Sequence, residues 1–469
     1  MPLISETILD IEREYEEKHK KSKEIYKRAL NCFPSGITHD NRYEKPFPIY
    51  TTKALGTRKW DVDGNEYVDY IMGHGALLFG YGNEKINQSM KEQIEKAVHM
   101  GSCTELEVEW AELIQKLVPS ARNGFVRATS CGSEAIYLAI RLARAYTGRD
   151  KVILHAGSYH GTLDLVLLAY NGPPFGIRNS KGIPESVKKD VIIVPFNDLA
   201  SVEEALKKGD VACVILHCNN LYTKDYIKGL RKLTEIYGTV FIMDEVVSGL
   251  RYSKGGAQEY YGVVPDLSVL GKIVGGGAPI GAICGKKEIL DYFSFKDEYW
   301  NKFVRLAMGG TWNAQPLSIV GGVTMMKMIL EEGDKIYHRM YKFGRELIKS
   351  FNDLADDMKV SAFAYGLPYD DPTIVVINFF NRDPGEKMYI WKSGPRSLKD
   401  YEVKEEYSAG GLAKYINYMV TTNYGILAMH HNEQYILCSE HKDEDLIKTE
   451  EALSNSLKAL KIFGAIGSK

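Results

Sequence analysis

No hydrophobic stretch in this sequence reaches the eighteen or so uninterrupted apolar residues that a membrane span requires, because charges, glycines or prolines break every run. A surplus of one charge is missing too. With 59 Lys and Arg against 61 Asp and Glu, the net charge of -2 offers no broad basic surface to nucleic acid or to an anionic membrane. The seven cysteines (Cys32, Cys103, Cys131, Cys213, Cys218, Cys284 and Cys438) are odd in number, scattered and without a CxxC pair. Free thiols in a reducing compartment fit that pattern better than a disulfide framework or a zinc site. The first thirty residues are densely charged from Asp10 and lack the apolar core and small-residue cleavage site of a signal peptide, so the expectation is a cytoplasmic protein. No GxGxxG turn follows the first strand of the sheet, which disfavours a nucleotide-binding Rossmann enzyme.

What is present suits small-molecule chemistry in a globular chain: 45% of residues are hydrophobic and 26% charged, enough for a sizeable core. Residues from about Glu6 to Leu30 have the composition of a solvated amphipathic helix. Trp60–Asp69 alternates around Asp63-Gly64, which predicts an antiparallel hairpin. Short apolar strands then alternate with helical segments: Gly124–Thr129, Val152–His155, Val191–Val194, Ala212–His217, Val240–Met243 and Leu267–Leu270. Such alternation predicts a mainly parallel sheet covered on both faces, with ligands at the carboxyl ends of its strands. After a long helical stretch to Met358 come strand-like Thr373–Phe380, a polar segment 381–406, and strand-like Tyr435–Cys438 before a terminal helix. The expected division is 1–71 as an N-terminal helix and hairpin belonging to a small α+β domain, 72–325 as a large α/β domain, and 326–469 as the rest of the small domain.

Lys272 is the only charge between Asp266 and Lys286, inside a run of aliphatics and glycines. A buried amine is costly unless paired, deprotonated or covalently used. Upstream, Cys131-Gly132-Ser133-Glu134 opens a helix after a strand, where free amides, the positive dipole end and the Ser133 hydroxyl suit a phosphate. Tyr159 and His160 follow the next strand on the same edge, and an aromatic ring there can stack on a flat cofactor. Asp244 ends another strand and can hold a protonated pyridine nitrogen. Taken singly, Ser133 also reads as a helix cap, Tyr159 as packing and Asp244 as an N-cap. Together they are the phosphate cradle, ring anchor and nucleophilic amine that pyridoxal phosphate needs, with Lys272 forming the Schiff base.

The run from Met243 to Gly285, with PSGITHDNR at Pro34–Arg42, the Trp60–Gly82 segment, SCGSEA at Ser130–Ala135, SYHG at Ser158–Gly161, GIPES at Gly182–Ser186 and GGTWNAQP at Gly309–Pro316, resembles the class III aminotransferases of pyridoxal phosphate fold type I. Within them it is most similar to glutamate-1-semialdehyde aminomutase and its aminotransferase relatives. The resemblance implies an α/β fold with a seven-stranded-type sheet and a smaller α+β domain. It implies that Lys272 carries the cofactor, Asp244 bonds the pyridine nitrogen, and Val246 and Tyr159 flank the ring. Cys131, Gly132 and Ser133 would form the phosphate site with His160 nearby. Gly310 and Thr311 would come from the neighbouring subunit of a homodimer. Arg42 would meet a substrate carboxylate, with His39 and His217 as further substrate contacts; no metal is implied.

Two departures stand out. The family's glutamate-proline is replaced by His217-Cys218, and Trp312-Asn313-Ala314 replaces small residues after the threonine. On the first of these the sequence reading favours an aminotransferase that exchanges an amino group between separate amino and carbonyl substrates. The alternatives are the aminomutase, a racemase, or a non-catalytic binding protein on the same fold.

Overall fold

Residues 7–170, 172–177 and 180–469 are described by the structure, a computed structural model. They divide into two units: the described residues of Glu84–Tyr337 with Tyr389–Lys404, and those of Met1–Asn83 with His338–Met388 and Glu405–Lys469.

The larger unit is built on strands β1 (Phe125–Thr129), β2 (Lys151–His155), β3 (Val191–Val194), β4 (Val211–His217), β5 (Val240–Glu245), β6 (Leu267–Gly271) and β7 (Gly281–Gly285). Their spatial order is β1-β7-β6-β5-β4-β2-β3. The run β6-β5-β4-β2-β3 is parallel, whereas β7 lies antiparallel between β6 and β1. Strands β4 and β5 are buried almost throughout, the burial expected of central strands covered on both faces. The sequence reading finds six of the seven. β7 escapes it because GAICG is short and bounded by glycines, residues that ordinarily disfavour strands. Here glycine is required: a Cβ on Gly281 would lie 2.4 Å from the Cys131 carbonyl oxygen.

Helix Gly132–Thr147 covers one face of this sheet. Its buried positions Ala135, Leu138, Ala139, Leu142 and Ala143 follow the i, i+3, i+4 rhythm of an apolar stripe, and Gly148 ends it in the left-handed conformation at φ 66°. Leu142 and Ile215, both fully buried in this core, each contribute about 1.5–3 kcal/mol by leaving water.

The stretch Tyr389–Lys404 falls in the larger unit, not in the C-terminal domain as the sequence reading places it. Asn197 Nδ2 lies 3.3 Å from the carbonyl oxygens of Ser393 and Pro395, and Gly394 approaches the Leu221 carbonyl so closely that a Cβ would sit 2.3 Å from it. Ile390 and Trp391 of the segment are buried, and polar composition around them hides this docking.

In the other unit, Thr51–Leu55, Arg58–Asp61, Glu66–Asp69 and Ile426–Leu427 form one sheet, and Ala362–Leu367, Ile374–Phe379 and Gln434–Ile436 form another. The expected hairpin is there: Arg58–Asp61 pairs antiparallel with Glu66–Asp69. Asp61 Oδ1 accepts from the amides of Asp63 and Asn65 at 2.9 and 2.8 Å, which holds the turn around Gly64. The expected N-terminal helix is instead two, Ile8–Lys18 and Lys20–Ala29, and it is not simply solvated. His19 breaks it: its buried ring lies between the Tyr15 carbonyl and the Tyr67 hydroxyl, at 2.6 and 2.8 Å.

Candidate active site

β1 delivers the chain to Cys131, the extended N-cap of helix Gly132–Thr147, which makes no side-chain capping bond. Ser133 therefore lies inside the first turn and is not the cap. Amides of a first turn have no intrahelical acceptor and point outward, as an anion site requires. Crowding explains the glycines around it. A Cβ on Gly132 would come within 2.7 Å of Val246 Cγ2, and one on Gly161 within 2.2 Å of Ser133 Oγ. Only bare backbone lets Val246 and the Ser158–Gly161 loop close on this turn. Glu134 accepts from the Ser130 amide at 2.7 Å and so braces the cradle from behind.

Asp244, near the end of β5, is buried; its Oδ2 accepts from His160 Nδ1 at 2.7 Å and its Oδ1 from the Val246 amide at 3.1 Å. Burial alone would raise its carboxyl pKa, yet the hydrogen bond and charge of His160, with a smaller effect of His217, hold it below the ordinary value. Asp244 is thus an anion at neutral pH.

Lys272 follows β6 directly, in the left-handed region at φ 53°. A non-glycine residue held there is strained, and strain of this kind gathers at functional sites. Its amine pKa is pushed down to about 8, first by burial and then by the Arg251 guanidinium, with Asp244 opposing. Arg251, fully buried, is a site residue that sequence reasoning missed. Its only signal is its place at the end of the MDEVVSGLR string.

The donor set fits pyridoxal phosphate: a glycine-lined helix start for the phosphate, an anionic carboxylate for the ring nitrogen, and a strained lysine of depressed pKa. Beside them, Ser158 Oγ and His160 Nε2 are buried polar atoms without a hydrogen-bond partner among the described residues.

Val246 packs against Gly132 and approaches Gly271. Tyr159 is exposed, its ring edge-on to Tyr170 at 5.0 Å. Cys131 is exposed, as are Gly310 and Thr311 on the loop that ends at Pro316. In the same loop Asn313 Oδ1 accepts from Ser130 Oγ at 3.0 Å. His217 closes β4 beside Asp244, where Asn220 and His160 engage it. His39 and Arg42 belong to the other unit; there the His39 ring stacks on His74 at 4.9 Å and Arg42 Nη1 donates to Thr38 Oγ1 at 2.8 Å. Among the described residues no group of His, Cys, Asp and Glu could hold a metal ion, and no helix is long and apolar enough to cross a membrane.

Comparison with known proteins agrees with this chemistry. The family description "Aminotransferase class-III" matches residues 39–364. A relative named glutamate-1-semialdehyde 2,1-aminomutase, from Archaeoglobus fulgidus, is 40% identical over 347 residues, covering 72% of this chain and 80% of the relative. Among solved structures, an omega-transaminase from Sphaerobacter thermophilus superimposes with a TM-score of 0.80 at 28% identity, over 94% of this chain and 98% of that one. A transaminase with PLP bound does so at 0.81 and 25% identity, with the same coverage.

Proposed function

The chain belongs to the class III aminotransferase family, a pyridoxal phosphate enzyme of fold type I, and from that premise we propose that it is a glutamate-1-semialdehyde 2,1-aminomutase. The cofactor, when bound, supplies an electron sink for the pair released as a proton leaves the carbon next to nitrogen. The protein does the rest. Gly132 and Ser133 hold the phosphate, Val246 and Tyr159 flank the ring, and Asp244 keeps the ring nitrogen protonated. Lys272 takes the proton from the carbon bearing nitrogen and later returns one, and its amine pKa of about 8 leaves a useful neutral fraction near physiological pH. A homodimer, with Thr311 supplied by the neighbour, completes the site.

Substrate and product of this reaction are isomers, so no second amino or carbonyl compound is consumed. Sequence departures alone favour a two-substrate aminotransferase; what supports the intramolecular reading instead is the 40% identity to a relative named as the aminomutase. Incubating the holoenzyme with glutamate-1-semialdehyde alone tests it, the expected result being 5-aminolevulinate without any added acceptor. The second reading rests on His217 and Trp312 in place of the family's residues. It would be favoured if product formed only when a separate amino donor and carbonyl acceptor were both supplied.

A further inference from the structure

His217 and Asp244 are register partners on the parallel strands β4 and β5, so their side chains leave the same face of the sheet one strand apart. His160 meets them from the loop after β2. Its Nδ1 donates to Asp244 Oδ2 while the Val246 amide donates to Oδ1, and two bonds to different oxygens fix the rotation of the carboxylate. The other ring nitrogen of His160, Nε2, is buried without a hydrogen-bond partner among the described residues. His217 packs edge-to-face on this ring, at 5.5 Å and 81°.

His217 cannot turn freely either. Asn220 Nδ2 donates to its Nδ1 at 2.9 Å, which leaves the proton of the neutral ring on Nε2. Burial pushes its pKa down to about 4. A third imidazole, His155, spans the Ile215 carbonyl and the Tyr226 hydroxyl at 3.0 and 2.7 Å, and burial pushes it down to about 3. His217 is thus a neutral imidazole beside the carboxylate and adds no cation that would compete for it. The other titratable groups nearby are Lys272 and Arg251, together with Glu245, whose carboxyl burial pushes up to about 7 and which accepts from the Ala257 amide and Gln258 Nε2.

We propose that His217, held by Asn220, is a positioning residue for Asp244: its ring braces the His160 imidazole, and through it the carboxylate that faces the cofactor nitrogen. The inference rests on the reading of Asp244 given above. It gives the imidazole at the end of β4 a use that the family's glutamate cannot serve, an aromatic edge against His160.

The experiment measures the dissociation constant of pyridoxal phosphate and the pH midpoint of its visible absorption band in H217A, N220A, H217F and D244N, with circular dichroism confirming that each is folded. H217A is expected to bind the cofactor roughly tenfold more weakly and to move the midpoint by about half a unit, while N220A and H217F, which each keep an aromatic edge against His160 but lose the Asn220 bond, fall between H217A and the parent. Parent-like affinity and midpoint in N220A and in any folded H217A, with D244N impaired, would overturn the role of His217 alone. Parent-like behaviour of D244N would remove the Asp244 reading and this inference with it. If H217A fails to fold, N220A and H217F carry the test.

Discussion

Gly132→Ala is a sharp test of the phosphate cradle because two effects of opposite sign meet there. Alanine is favoured over glycine in a helix by up to about 1 kcal/mol, less at a terminal position such as this. Against that, the new Cβ would lie 2.7 Å from Val246 Cγ2 and 3.0 Å from Cγ1, where ordinary contact begins at 3.4 Å. Val246 must therefore retreat by about 0.7 Å, an overpacking that costs typically 1–3 kcal/mol. Steric strain should win. The apoenzyme is expected to lose about 1 kcal/mol net in denaturant titration, and cofactor affinity should fall at least about tenfold because Val246 and the helix start are both displaced. Val246→Ala in the same chain removes the methyls that clash, so the double variant should recover most of the stability lost to Gly132→Ala. A Gly132→Ala protein as stable as the parent, or a loss that is purely additive with Val246→Ala, would refute the geometry claimed for the cradle.

Three further outcomes follow from the same site and fold. Lys272→Ala should abolish the borohydride-fixed cofactor adduct seen by peptide mass spectrometry and lower turnover by about 10²–10⁴-fold or more; an adduct on another peptide would unseat Lys272. In the apoenzyme, folded Lys272 releases its proton near pH 8 whereas the unfolded chain keeps it to about 10.5, so the unfolded state binds more protons in between. Stability should therefore rise from pH 8 toward 10.5, by on the order of 3 kcal/mol for this group, and Lys272→Met should remove that rise in urea titrations at the two ends of the window. Asp61→Ala strips the acceptor from the amides of Asp63 and Asn65 and from the Tyr67 hydroxyl, and should cost about 2–4 kcal/mol of apparent stability, read as a lower denaturation midpoint.

Several of these features are legible without coordinates. The hairpin at Asp63-Gly64 is local, its turn held by side chain and backbone only four residues apart. Six strands of the large sheet announce themselves as apolar runs. The seventh does not, because its glycines answer to neighbours that only the folded sheet supplies. Likewise, the break at His19 depends on Tyr67, 48 residues on, and no local propensity signals it.

By itself the sequence determines that Gly132, Ser133, Asp244 and Lys272 share one edge, since in a parallel sheet residues just after strand ends collect on the carboxyl side whatever lies between them. It also singles out Lys272 as a candidate for chemical use, because no other charge stands between Asp266 and Lys286. Tertiary structure alone decides what tunes that edge. His160 reaches Asp244 across 84 residues, Arg251 comes near enough to depress Lys272, and His217 turns to His160 and Asn220. Those pairings depend on register between strands and on which loop folds over which, and residue type and spacing carry neither.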